Sequence, residues 1–251
     1  VARRRLGFWR RFSVCLARPV LALFTAGEWL GYAHIPAEGG AIVVVNHISH
    51  ADPLISGWFL HRAGRWPQFL GKASLFRLPL LGPLLDRVDQ IPVERGTVDA
   101  ARSLERLVRA VRAGGVVVIY PEGTTTREPE LWPMVGKTGA ARLALATRAP
   151  VIPVAIWGAQ QIFDPRTGIL RLRLRTPVTA KAGPPIDLSR FRHTDPSRET
   201  LAEMTDVIMT TLRDMLAEIR GGTPPPLYRP APTGRYRAVE GDRGRPIEDA
   251  A

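Results

Sequence analysis

Residues 46–53 read NHISHADP and set two histidines and an aspartate within eight positions. The chain has five histidines in all, so His47 and His50 standing this close together need a reason. Three kinds of chemistry suit the group. His47, His50 and Asp52 are metal-ligand types, although no second ligand cluster follows elsewhere in the sequence. A carboxylate bonded to one imidazole nitrogen fixes the tautomer and raises the basicity of the other nitrogen, which makes a general base. The plain reading is a loop in which Asp52–Pro53 serve as N-cap and first residue of a helix. Five helical steps of about 100° would put His47 and Asp52 on different faces. Their pairing therefore requires a tight turn across 47–52.

Other chemistry-bearing residues follow further apolar runs. PEGTTTRE (121–128) comes after VVVIY, GKASLFRLPLLG (71–82) begins in the run QFLG, and RG (95–96) comes shortly after VDQIPV. If these runs are strands, His47/Asp52, Lys72, Arg95 and Glu122/Thr124/Arg127 all stand at strand ends, where open α/β sheets place their ligands. Scattered surface polarity does not explain that arrangement.

The elements that must hold these residues are legible from periodicity. Strands are expected at AIVVV (41–45), QFLG (68–71), VDQIPV (88–93), VVVIY (116–120), PVIPVAI (150–156) and LRLRLR (170–175). Helices fit from Pro53 to Leu60, from Thr97 to Ala113 and from Lys137 to Arg148. A last one opens at Asp195–Pro196 and carries Leu201, Met204, Ile208, Leu212, Met215 and Ile219 on one face. Near-continuous apolar strands alternating with helices predict an α/β domain over residues 34–220, with a mostly parallel sheet covered on both faces.

The flanks differ from this middle. In residues 1–33, Arg3, Arg4, Arg5, Arg10 and Arg11 surround Phe8, Trp9 and Phe12, and an apolar stretch follows over 12–33. Arg18 and Glu28 interrupt it, each costing about 2.5–3.5 kcal/mol at mid-bilayer. Phe8, Phe12, Cys15, Pro19 and Leu23 form a helical stripe, with Arg4, Arg11 and Arg18 on another side. This predicts an amphipathic helical segment lying in a membrane interface, against the alternative of a helix packed on its own domain. Residues 221–251 are rich in Pro, Gly and charge and read as a disordered tail.

The formal net charge is +12, and Lys72, Lys137 and Lys181 are the only lysines among 35 basic residues. Guanidinium forks suit phosphate and carboxylate. Such a surface fits an anionic membrane, nucleic acid or a phosphorylated substrate. A single cysteine, Cys15, excludes an internal disulfide and a thiolate metal cluster within one chain. No cleavable signal peptide is apparent, because no small-residue cleavage site clearly follows the basic start.

The order of these motifs resembles the glycerolipid acyltransferase family typified by 1-acylglycerol-3-phosphate acyltransferase. His47 and Asp52 match its H-x4-D motif. Arg95 in IPVERG matches a second motif. Tyr120, Pro121, Glu122, Gly123 and Thr124 match F/Y-P-E-G-T-R, and VIPVAI (151–156), with Pro153, matches a fourth. The likeness covers roughly residues 35–190. Two positions depart from the pattern: Thr125 stands where the family has arginine, and Ser74 where it commonly has glutamate. Arg127 lies two positions beyond Thr125.

The resemblance implies an O-acyltransferase of phospholipid synthesis. His47 would take the proton of an acceptor hydroxyl and Asp52 would orient it. The alkoxide would attack an acyl thioester directly, with acyl-CoA or acyl-carrier protein as co-substrate and no metal or redox cofactor. Lys72, Arg95 and Arg127 would hold the acceptor phosphate, Glu122 would bond acceptor hydroxyls or anchor its loop, Gly123 would let backbone approach the substrate, and Thr124 would belong to the same substrate-binding set. The expected acceptor is a lysophosphatidic acid. The alternatives are glycerol-3-phosphate, another lysophospholipid or a glycolipid. The expected place is the cytoplasmic face of the cell membrane, as a peripheral or monotopic protein. A non-enzymatic basic protein binding membrane or nucleic acid is the competing class. It gives no role to His47, Asp52 and Glu122, so no nucleic-acid partner is expected.

Overall fold

The computed structural model describes residues 7–93 and 97–230, with 97–101 as backbone. The chain runs α1 (Phe8–Phe24), β1 (Thr25–Leu30), β2 (Ala41–Val45), α2 (Asp52–Arg62), β3 (Pro67–Lys72), α3 (Ala73–Phe76), α4 (Leu81–Arg87) and β4 (Ile91–Val93). It continues through α5 (Thr97–Arg112), β5 (Val116–Ile119), α6 (Gly139–Thr147), β6 (Val151–Trp157), β7 (Thr176–Ala182) and α7 (Arg198–Arg220). The strands form one seven-stranded sheet in the order β1-β7-β6-β2-β5-β3-β4. Every pairing is parallel except β6–β7.

The β-branched runs of β2, β5 and β6 occupy the middle of the sheet, as strands buried on both faces should. Period-two alternation divides them between two cores. Val43, Val45, Val116, Val118, Ile152 and Val154 pack with Ile55, Phe59 and Leu60 of α2 and Leu21 of α1. Ile42, Val44, Val117, Ile119 and Val151 pack with Leu107 and Val111 of α5, Leu143 of α6, and Ile208 and Leu212 of α7. Parallel order sends the C-terminal ends of β6, β2, β5, β3 and β4 to one edge, which is where His47, Glu122 and Lys72 leave the sheet.

The architecture follows the sequence expectation, except that β7 (Thr176–Ala182) is a strand the periodicity does not announce and that five further local differences occur. LRLRLR is not a strand: residues 169–175 are exposed and share a single bridge, Phe163 to Leu170. Both sides of β6 are taken by β2 and β7, so this alternating segment cannot pair with the strand that precedes it. The strand expected at 88–93 shortens to Ile91–Val93, because Asp89, with φ +59°, turns the chain just before it. Residues 1–33 are not helical throughout: Thr25–Leu30 form β1, an edge strand pairing with β7 over six residues. The last helix is capped by Ser197, whose side chain accepts from Thr200 N–H, and not by Asp195. Residues 221–230, placed in the tail, are bound to the domain. Val135 N–H donates to the Tyr228 carbonyl at 2.9 Å, and Leu227 packs on the second core. The rest of the tail, 231–251, and Arg95 lie outside the described residues.

Candidate active site

β2 ends at Val45, and Asn46 locks the exit. Its side-chain amide donates to the Ile156 carbonyl at 3.0 Å, and its carbonyl accepts Ile156 N–H at 2.7 Å, so β2 and β6 are tied one residue before His47. The chain then turns sharply into α2. Asp52 does not cap its own helix, which starts from Ala51. Its Oδ2 accepts the backbone N–H groups of Ile48 (2.7 Å) and Ser49 (2.8 Å), closing the turn. The same oxygen stands 2.8 Å from His47 Nδ1. The required tight turn is therefore built by the aspartate itself.

Asp52 is fully buried, and burial pushes its carboxyl above the ordinary value. The three donors on Oδ2 oppose that shift, because each favours the anion. The His47 side chain is 16% exposed. With Nδ1 occupied by Asp52, Nε2 is the nitrogen left for another partner. Tyr120 stacks on the imidazole, with ring centroids 4.3 Å apart and planes at 27°. Its hydroxyl lies 2.9 Å from Ser56 Oγ on α2.

The loop after β5 grips the backbone of His47 from both sides. Glu122 Oε1 accepts His47 N–H at 2.8 Å, and Thr126 N–H donates to the His47 carbonyl at 2.7 Å. The other Glu122 oxygen accepts Met134 N–H at 3.2 Å. Burial pushes the Glu122 carboxyl up to about 8, against the pull of those two backbone donors. Of the two roles expected for Glu122, the anchor is the one found. The residue is 2% exposed, and each of its oxygens accepts a backbone N–H. Gly123 has φ +72°, and a Cβ there would stand 2.8 Å from Lys137 Nζ. Lys137 thus lies along the turn, while its own N–H donates to the Pro121 carbonyl at 2.7 Å.

Lys72 ends β3 on the same sheet edge, two strands from β2 in the order β2-β5-β3, about 10 Å away by strand spacing. Thr124 and Arg127 are exposed on the loop after β5. His50 does not join His47 and Asp52; its ring packs edge-on against Phe163, with centroids 5.2 Å apart. Sequence reasoning missed Asn46, Ser56 and Thr126. Their roles rest on contacts with residues remote in sequence, or on a backbone N–H that no side-chain pattern announces.

The family model "Acyltransferase" matches residues 29–157, just over half of the chain and the whole of this constellation. The chain belongs to the acyltransferase family. A 1-acyl-sn-glycerol-3-phosphate acyltransferase from Bacillus subtilis is 26% identical over 211 residues, covering 82% of this chain and 96% of that protein. One from Borreliella burgdorferi is 31% identical over 134 residues, covering 53% of this chain and about half (52%) of that protein. The 1-acyl-sn-glycerophosphate (LPA) acyltransferase PlsC from Thermotoga maritima shares the fold. Its crystal structure superposes with a TM-score of 0.59 at 21% identity, over 85% of this chain and 81% of that one. In this acyltransferase the H-x4-D histidine and aspartate are the pair held at 2.8 Å, and the E-G-T loop is the clamp on the histidine backbone.

Proposed function

We propose that the chain transfers a fatty acyl group from an acyl thioester to the free hydroxyl of a lysophosphatidic acid, making phosphatidic acid. The observation that carries this is the His47 Nδ1–Asp52 Oδ2 bond at 2.8 Å, formed on a buried carboxylate that also closes the turn. Family membership and the relatives' named activity support the substrate class. Nε2 takes the proton of the acceptor hydroxyl as the oxygen attacks the thioester carbonyl. The C–S bond then breaks, and the thiolate leaves with the proton returned by the imidazolium. No enzyme nucleophile takes part, so transfer is direct. The donor is acyl-CoA or acyl-carrier protein.

Lys72, Arg95 and Arg127 receive the acceptor phosphate by charge-assisted hydrogen bonds, each worth about 1.5–3 kcal/mol. The acceptor arrives from a membrane surface, with α1 as the contact. Phe8, Phe12, Leu16, Val20 and Leu23 are exposed along one side of this helix, Arg11 and Arg18 border them, and Leu21 on the opposite side is buried in the domain. Among the described residues no helix is long and apolar enough to cross a membrane. The proposed place is the cytoplasmic face of the cell membrane, with the chain held there as a peripheral or monotopic protein through α1.

The test is steady-state transfer to lysophosphatidic acid and to its dephosphorylated counterpart, by the natural chain and by Arg95→Ala. The expected result is strong preference for the phosphorylated acceptor, and a steep rise in its KM for Arg95→Ala with little change in donor KM. Equal use of both acceptors by the natural chain would favour a neutral or glycolipid acceptor.

A further inference from the structure

Residues 169–175, ILRLRLR, remain unexplained by the fold or by the proposed chemistry. Ile169 (51% exposed), Leu170 (54%), Leu172 (58%) and Leu174 (64%) face solvent with Arg171, Arg173 and Arg175 between them. Four half-exposed aliphatic side chains in seven residues are more apolar surface than a segment without a partner should carry.

Its attachments place the segment. At one end Arg175 N–H donates to the carbonyl of Leu23, in the last turn of α1, at 3.0 Å. The segment is thereby joined to the helix that exposes Phe8, Phe12, Leu16 and Leu23. At the other end Arg171 N–H donates to the Ile162 carbonyl at 2.7 Å, and Leu170 bridges Phe163. The Phe163 carbonyl accepts from Ser49 Oγ at 2.7 Å, and its ring touches His50. One loop therefore runs from the exposed side of α1 to the turn that carries His47.

We propose that residues 169–175 are a second bilayer-contacting element, which docks beside α1 on an anionic lipid surface at the approach to His47. The inference rests on the membrane-surface reading of α1 and extends it to a segment outside that helix. Alternating leucine and arginine suits an interface: the aliphatic groups enter the acyl boundary while the guanidinium heads stay at the phosphates. A nucleic acid would match the arginines and leave the four aliphatic side chains uncovered.

The experiment measures partitioning of the full chain onto vesicles of mixed phosphatidylglycerol and phosphatidylcholine, with phosphatidylcholine alone for comparison. The variants are L172D/L174D and, for α1, F12E/L16E. The expected result is a loss of about tenfold or more in partitioning for L172D/L174D at an unchanged thermal midpoint. Partitioning within about twofold of the natural chain, while F12E/L16E falls, would overturn this inference and leave the reading of α1 standing. Absence of binding by the natural chain would remove both. Loss of transfer from an acyl-carrier-protein donor with vesicle binding intact would overturn the inference in favour of carrier docking. Should L172D/L174D fail to fold, an environment-sensitive label on Leu172→Cys in a Cys15→Ser background decides: quenching by spin-labelled lipid supports the contact, and no quenching overturns it.

Discussion

Glu122 makes the difference between a residue's type and its role concrete. A glutamate in a loop after a strand invites a ligand role, yet its two oxygens hold the backbone of His47 and of Met134. As an anchor, Glu122→Ala should lower kcat by displacing the imidazole and leave acceptor KM nearly unchanged; a ligand would do the reverse. Its pH signature is also specific. An unfolded glutamate titrates near about 4.3, and the folded carboxyl is pushed up to about 8. Between those values the folded state holds a proton that the unfolded state has lost, so stability falls as pH rises through the window. Denaturant unfolding from pH 5 to 8 should therefore show a flatter slope for Glu122→Gln than for the natural chain. Thr125 is the opposite case, a visible departure from the family motif. With a lysophosphatidic acid acceptor, Thr125→Arg should be neutral or raise activity; with a bulkier acceptor, the longer side chain should lower it. Kinetics of that variant with both acceptors separate the cases.

At the scale of elements, the middle of the sheet and the positions of its site residues were legible in the sequence. The β-branched runs 41–45, 116–120 and 150–156 had one plausible arrangement, and each appears within a residue of its expected bounds. The edges were not, because edge strands depend on partners far away. TAGEWL becomes β1 only because β7 offers an unpaired side, and LRLRLR fails although its alternation is perfect. Proline and glycine in 221–230 concealed a segment that is held by backbone hydrogen bonding, which composition does not report. Truncation after Gly222 frees Val135, next to the Met134 that bonds Glu122. It should lower the thermal midpoint and turnover relative to truncation after Pro230. Equal behaviour of the two truncations would show that the Tyr228 contact does not support the site. Removal of residues 1–33 should likewise destabilise the domain, since it strips β7 of a partner and takes Leu21 from the core.

For the whole molecule, the H-x4-D pair, the clamp on its backbone and Lys72 stand at one sheet edge, while an exposed apolar helix with bordering arginines lies against the same domain. The site was legible as a set of residue types, and the resemblance supplied their roles. What needed the structure was the support beneath His47: Asn46 tying two strands, Tyr120 under the ring, and Thr126 on the carbonyl. All of the proposed chemistry depends on His47 acting as a base. The most direct measurement is acyl transfer from a labelled thioester to lysophosphatidic acid by the natural chain and by His47→Ala, with far-UV circular dichroism to establish that both are folded. A general base contributes about 10²–10⁴-fold, so a folded His47→Ala should retain at most about one per cent of the turnover. Turnover within a few-fold of the natural chain would contradict the account.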